Sequence, residues 1–354
     1  MILSTALLTG AGCTLKVGPS SASVLASTDA GLTWKSHATL VTGKNRSVEI
    51  ANADVTRIVF DTTNPDTMFF GTKEGLYGSN TAGATWTSIL PGQYISDIAL
   101  HPTDHCMLYA LTPIRALKTT NCGTTWGVLL NEARENVGLT VLTIDQSLPT
   151  TVYTATSVGD IFKSRDGGQT WTVLTRFSGQ NIRRFLIDPH DSSVLYVATA
   201  EGGIFRSRNQ GVTWTDISQS LRAVYAKQNI SLAYRGFNLF AGSGRLFYAS
   251  NDGLFRSLNG GTSWEKIPVL TPSGSAKIFA ARVDPSNTSV IYYATQTTFY
   301  RTNDSGSHWV ARPIVSTGDP YVIAPHPIRS GIVFLGMRVR KEQDAYWYRG
   351  SPDY

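Results

Sequence analysis

Side chains able to do chemistry are sparse in this sequence of 354 residues. A metal centre needs ligands that cluster. The six histidines are scattered instead, and His101, His190 and His326 stand beside Pro or Asp in segments that read as turns. No Ser-His-Asp or Cys-His pairing is readable from the spacing. What remains is a dispersed set of charged groups and tyrosines whose chemistry is recognition. It comprises Lys73, Glu74, Arg115, Asp160, Glu201 and the run Arg338-Val339-Arg340-Lys341-Glu342. Tyr94, Glu132, Arg134, Glu135, Arg176, Arg222, Tyr225, Lys227, Asp319 and Tyr321 extend it. The formal net charge of +6 is spread along the chain, which favours anionic partners modestly. No run of Lys and Arg points to nucleic acid, and no stretch of about 18 apolar residues points to a transmembrane helix.

These groups must be positioned by something, and the chain names it seven times. Ser164-Arg165-Asp166-Gly167-Gly168-Gln169-Thr170-Trp171 reads Ser-x-Asp-x-Gly-x-Thr-Trp. Other copies begin at Ser27, Ser79, Thr119, Ser207, Ser257 and Thr302 and end at Trp34, Trp86, Trp126, Trp214, Trp264 and Trp309, so seven of the eight tryptophans fill one slot. Successive Trp are 40 to 52 residues apart. A period of this size means a solenoid or a propeller. The Gly of each copy (Gly31, Gly83, Gly123, Gly168, Gly211, Gly261, Gly306) suits a tight hairpin needing positive φ. The Asp and the Ser or Thr can bond the turn's own backbone. The Trp carries a large apolar ring onto the following strand, where it can pack between neighbouring sheets.

The pattern resembles the Asp-box, or BNR, repeat, and the resemblance covers nearly the whole chain. It implies that each copy is the hairpin between the third and fourth strands of a β-propeller blade. Copies ending at Trp34 and Trp171 keep every position, with Asp29 and Asp166 in place. Thr81, Asn121, Asn209 and Asn259 replace the Asp elsewhere, and the last copy keeps Asp304 but has His308 for Thr. All of these can bond a turn, so the repeated Asp is read as structural.

The rest of the chain fits that frame. Val55–Phe60, Thr67–Thr72, Gly75–Ser79 and Thr85–Leu90 are short alternating runs between turn signals. The pattern recurs over about 94–130, 138–175, 181–217, 229–268 and 276–315, with Asp- and Pro-containing exits such as Asp61-Thr-Thr-Asn-Pro65 and Asp188-Pro189. Ser23–Ser27 and Thr33–Ala38 form a hairpin that lacks two partner strands, and Val322–Pro325 and Ile332–Arg338 supply them. One composite blade then closes the ring and removes its open edges. The expected fold is an all-β, seven-bladed propeller over 23–354, after a signal-like segment at 1–13 and a short tether at 14–22. Thr42–Asp54 reads as a polar connection.

In an up-and-down blade the repeated turns share a face with the turns after the first strands. Ligands of related propellers usually meet the opposite face or the central channel. Lys73, Arg115, Glu201, Arg338, Arg340 and Lys341 fall there and are the candidate partner contacts, beside a reading of each as a solvated rim. Sialidases share the repeat, but their Phe/Tyr-Arg-Ile-Pro signature is missing. Xyloglucanase-type hydrolases resemble it as well, and they place two carboxylates in a cleft between two propellers. Sortilin-type receptors and a photosystem assembly factor resemble it at repeat level and bind peptides or a partner protein. The expected function is therefore an exported, non-catalytic binding propeller, a monomer that presents a loop face to a protein or glycan and carries no cofactor or metal. The alternative is a glycoside hydrolase or lyase with unrecognised carboxylates.

Three cysteines complete the reading. Gly10-Ala11-Gly12-Cys13 after an apolar run resembles a bacterial lipobox, which makes Cys13 a candidate for lipidation and places the protein in the cell envelope; a plain secreted start and a cytosolic protein are the alternatives. Cys106 begins a second strand and Cys122 sits in the repeated hairpin just past the end of the antiparallel third strand, on the turn face. Strand spacing of roughly 5 Å makes them a candidate disulfide, against two free thiols in a reducing compartment.

Overall fold

The structure is a computed structural model that describes residues 21–43, 46–225, 232–239, 244–272 and 277–340. The signal-like segment with Cys13, most of the tether, Lys227, Lys341 and Glu342 lie outside them.

Seven four-stranded antiparallel sheets make seven blades of a β-propeller. The innermost strands are Val55–Phe60, Asp97–Leu100, Leu139–Ile144, Ile182–Asp188, Tyr234–Leu239 and Ala280–Val283 in blades one to six, and Gly318–Pro325 in blade seven. Each packs against the next, and the seventh against the first, so the ring is closed. Blade seven is composite: Lys35–Ser36 and Val24–Ser27 from one end of the described chain pair with Val333–Val339 and Gly318–Pro325 from the other. Its register runs Val24↔Gly336 to Ser27↔Val333, so the closure is made by backbone ladder bonds.

Three details differ from the sequence reading. The expected polar connection contains a two-stranded hairpin, Thr39–Gly43 with Arg46–Glu49, whose first strand is held beside blade one by Val41 N donating to Trp86 O and Trp86 N to Thr39 O. Ala22, read as the end of the tether, is buried and bridges Ala51. A short helix, Gln219–Tyr225, connects blades four and five, where the sequence suggested only a loop.

The repeated octapeptide is the same hydrogen-bonded device in every blade. The first hydroxyl accepts the N–H of the Gly four residues on at 2.7–3.0 Å, from Ser27 to Gly31 through Thr302 to Gly306. The Asp, Asn or Thr at its third position accepts the N–H of the seventh at 2.8–3.0 Å. The chain turns left-handed at two consecutive residues, not only at the Gly: Ala30, Ala82, Cys122, Gln210 and Ser305 all have φ between 51° and 61°. Space as well as φ demands the Gly. A Cβ on Gly31 would lie 2.4 Å from the Phe299 ring of the preceding blade, and one on Gly168 2.5 Å from Leu129.

The Trp slot locks blade to blade. Trp86 and Trp264 are buried, and their indole N–H groups donate to His37 O at 2.7 Å and Ile217 O at 2.9 Å, both on the preceding blade. Trp126 and Trp309 do the same to Ile89 O and Pro268 O. Trp34 packs edge-on against Phe299 and Trp214 against Phe177, while Trp171 packs against the core between blades two and three.

Candidate binding face and central vestibule

The face opposite the repeated turns is built from the loops between second and third strands and from the connections between blades. The candidate contacts gather on it but do not form one cluster. Lys73 is paired with Asp54, which also accepts the N–H of Val339 at 2.7 Å. Arg115 Nε donates to Asn131 at 3.3 Å, and Glu201 is exposed in its own loop. Arg340 is not a free arm: its Nε donates to Asp319 at 2.9 Å and a terminal nitrogen to Gly318 O at 3.3 Å. Four other residues meet at the seam of blades two and three. Arg134 forks onto Glu132 at 2.7 and 2.8 Å and reaches Asp160 at 2.6 Å, and Arg176 bonds Asp160 at 3.1 Å. This hydrogen bonding holds the Glu132 carboxyl below the ordinary glutamate range. The network is satisfied within itself, which suits a rim clamp.

Among the described principal candidates, Arg338 alone enters the centre of the ring. Its guanidinium lies over the Tyr321 ring, 3.1 Å from the centroid. The two residues help to line a vestibule of about 630 Å³, open on this face through Tyr94, Pro113 and Ala200. Six arginines line it, Arg57, Arg183, Arg184, Arg235, Arg282 and Arg338, with Tyr94, Tyr234 and Tyr321. Asp97 is the sole carboxylate among the described lining residues. A smaller recess of about 230 Å³ opens among the turns of the other face, and Arg57 and Arg184 line both, so they mark the waist between them.

The first strands explain this. Arg57, Asp97 and Arg184 each stand four residues before the turn residue of their blade, Asp61, His101 and Asp188. Val141 and Val322 occupy the same slot before Asp145 and His326. Arg57, Asp97, Arg184 and Val322 line the vestibule from this slot, so charge placed there meets charge from other blades. Asp97 is fixed: its carboxylate accepts Leu142 N of the next blade at 3.0 Å and lies 3.1 Å from Arg57 Nε. Burial and neighbouring guanidiniums push Arg184 down to about 10 and Arg282 to about 9, so both stay cationic at neutral pH. Burial raises the Tyr234 phenol, so it remains a hydrogen-bond donor. Two carboxylates flanking a scissile bond are not found in this lining. Among the described residues no group of three His, Cys, Asp or Glu could hold a metal.

Apart from Arg338, these channel arginines were missing from the candidates read in the sequence, since they stand inside first strands and not in the loops from which candidates were drawn. The histidines behave as turn residues. His101 and His326 accept backbone N–H groups through Nδ1, as Asp61, Asp145 and Asp284 do through carboxylates, and His190 is exposed in its turn. Cys106 and Cys122 are brought together, with Cα atoms 4.0 Å apart.

No protein-family model matches the sequence, and no curated protein matches it. Solved structures do match the fold. YCF48 from Cyanidioschyzon merolae is 16% identical, with a TM-score of 0.61 over 80% of this chain and 95% of its own. A structure of YCF48 bound to D1 peptide gives 15% and 0.60 over 85% and 94%. The GH74 xyloglucanase from Xanthomonas campestris gives 18% and 0.64 over 82% of this chain but 52% of its own, so the present chain corresponds to about half of that enzyme. At these identities the likeness is one of fold.

Proposed function

We propose that this propeller, an Asp-box repeat protein by its octapeptides, is a non-catalytic binding module. It holds an anionic segment of a partner protein on the face opposite its repeated turns, with the arginine vestibule at the centre of the contact. The observation that carries the reading is the lining itself, six arginines and three tyrosines against one carboxylate. Arginine and tyrosine are among the residues enriched at protein interfaces. Net positive charge in a walled recess concentrates anionic ligands and speeds their capture. The fold supports the reading without deciding it, since one structural neighbour is bound to a peptide and another is a hydrolase. Export to the envelope, lipidation of Cys13 and a monomeric state belong to the same proposal.

Labelled polyglutamate is the probe, followed by fluorescence anisotropy at low salt. The double variant Arg183→Glu/Arg235→Glu at the vestibule should lose binding. Arg165→Glu/Arg208→Glu removes the same charge from exposed positions of the opposite face and should bind as the parent does. Equal losses in both would reduce the effect to net charge and defeat the proposal.

A further inference from the structure

The vestibule contains charge that the protein does not neutralise for itself. Arg184 on blade four and Arg282 on blade six project into it from either side of Tyr234 on blade five. Among the described residues neither arginine has a carboxylate at ion-pair distance, and Arg184 Nε is buried without an acceptor. Asp97 is at ion-pair distance from neither of them. Its oxygens are already taken by Arg57 and by the N–H groups of Ile98 and Leu142. Removing a guanidinium from water without a counter-charge is costly, and two such groups in one recess also repel. A fold keeps such an arrangement where a ligand supplies the missing charge.

We propose that Arg184, Arg282 and the Tyr234 hydroxyl form a discrete oxyanion site that takes one carboxylate, phosphate or sulfate group. Guanidinium is the matching chemistry, because its planar fork bonds two oxygens at once. The phenol adds a donor without adding charge. Arg184 lies at the waist between the two recesses, so the site is deep, and an oxyanion carried on a larger ligand must enter on a narrow end. This inference rests on the vestibule being a binding site. It goes further by assigning the group that is recognised and the three residues that recognise it.

The 354-residue chain is melted in increasing inorganic phosphate at constant ionic strength. The wild type and Arg165→Met, a change at an exposed residue of the opposite face, should gain Tm saturably. Arg282→Met should lose that gain, and Arg282→Lys should keep part of it. Without phosphate, Arg282→Met should melt above the wild type, because a half-buried charge that repels Arg184 has gone; this also shows that the variant folds. Phosphate raising wild type and Arg282→Met alike would overturn the site, since that is the general effect of an excluded salt. A second arm separates the sources of the group. An acetylated Gly-Ala-Ala peptide with a free carboxyl terminus, but not its amide, should displace phosphate if the natural group is a chain end. If the peptide fails while phosphate binds, the site stands as one for a free oxyanion. Phosphate binding without polyglutamate binding would keep this site and remove the partner reading; polyglutamate binding with no effect of Arg282→Met would do the reverse.

Discussion

Arg57 and Asp97 face each other across the seam of blades one and two, Nε to Oδ1 at 3.1 Å, and Asp97 is the one carboxylate among the described residues that line the vestibule. Asp97 therefore works against anion binding while it stabilises the ring. Asp97→Ala leaves Arg57 uncompensated and two backbone N–H groups without acceptors. It should cost about 3 kcal/mol in urea unfolding and, at low salt, tighten polyglutamate binding. Weaker binding with the same stability loss would mean that Asp97 contacts the ligand.

The Trp slot makes a graded prediction. Trp86 is completely buried and bonds His37 O, whereas Trp126 is half-buried. Trp86→Ala should lose about 4 kcal/mol and Trp126→Ala about half of that, followed by circular dichroism in urea. Equal costs would show that the slot acts through the turn and not through packing between blades.

Acid should act through the repeated turns. The Thr33 hydroxyl and N–H, with Ser27, hold the Asp29 carboxyl down to about 2. Equivalent bonds hold Asp166 and Asp304 low, in each case led by a hydroxyl, Thr170 or Thr302. A carboxyl with a depressed folded pKa contributes stability that is complete above its unfolded value of about 4. That contribution is lost as pH falls from there toward 2. Melting curves from pH 6 to pH 2 should fall less steeply for Asp29→Asn/Asp166→Asn/Asp304→Asn, because the four other blades already use Asn or Thr at this position without titrating. An unchanged slope would place the acid sensitivity elsewhere.

Cys106 and Cys122 should be joined. Their Cα atoms are 4.0 Å apart and Cys122 N donates to Cys106 O at 3.0 Å. The unreduced protein should therefore show neither thiol in a titration under denaturing conditions, and reduction should lower stability by about 3 kcal/mol. Two reactive thiols in freshly isolated protein would remove the support that a disulfide lends to an oxidising compartment.

Much of this molecule is legible in its sequence, for a physical reason. The octapeptide is held by bonds between residues two to four apart, so its signature is local and survives Asn121 or Thr81 in place of Asp. The composite blade is legible because a ring with two strands missing at one end and two spare at the other has one economical closure. The vestibule is not legible in the same way. Arg184 and Arg282 are 98 residues apart in the chain and meet only because seven first strands surround one axis. Aligning those strands on their turn residues exposes Arg57, Asp97 and Arg184 in one slot, a signal that a list of exposed loop residues passes over. The loop candidates Lys73 and Arg340 show the converse, since their charges are spent on Asp54 and Asp319.

The claim that this face meets the partner is tested most directly by site-specific photo-cross-linking. A benzophenone side chain at Tyr94, exposed at the vestibule mouth, is compared with one at Leu32, exposed on a repeated turn of the other face. Each protein is irradiated in extract of the source cells. The account predicts a discrete cross-linked species from position 94 that polyglutamate competes away, and none from position 32. A species from position 32 alone, or one from position 94 that polyglutamate leaves untouched, would contradict it.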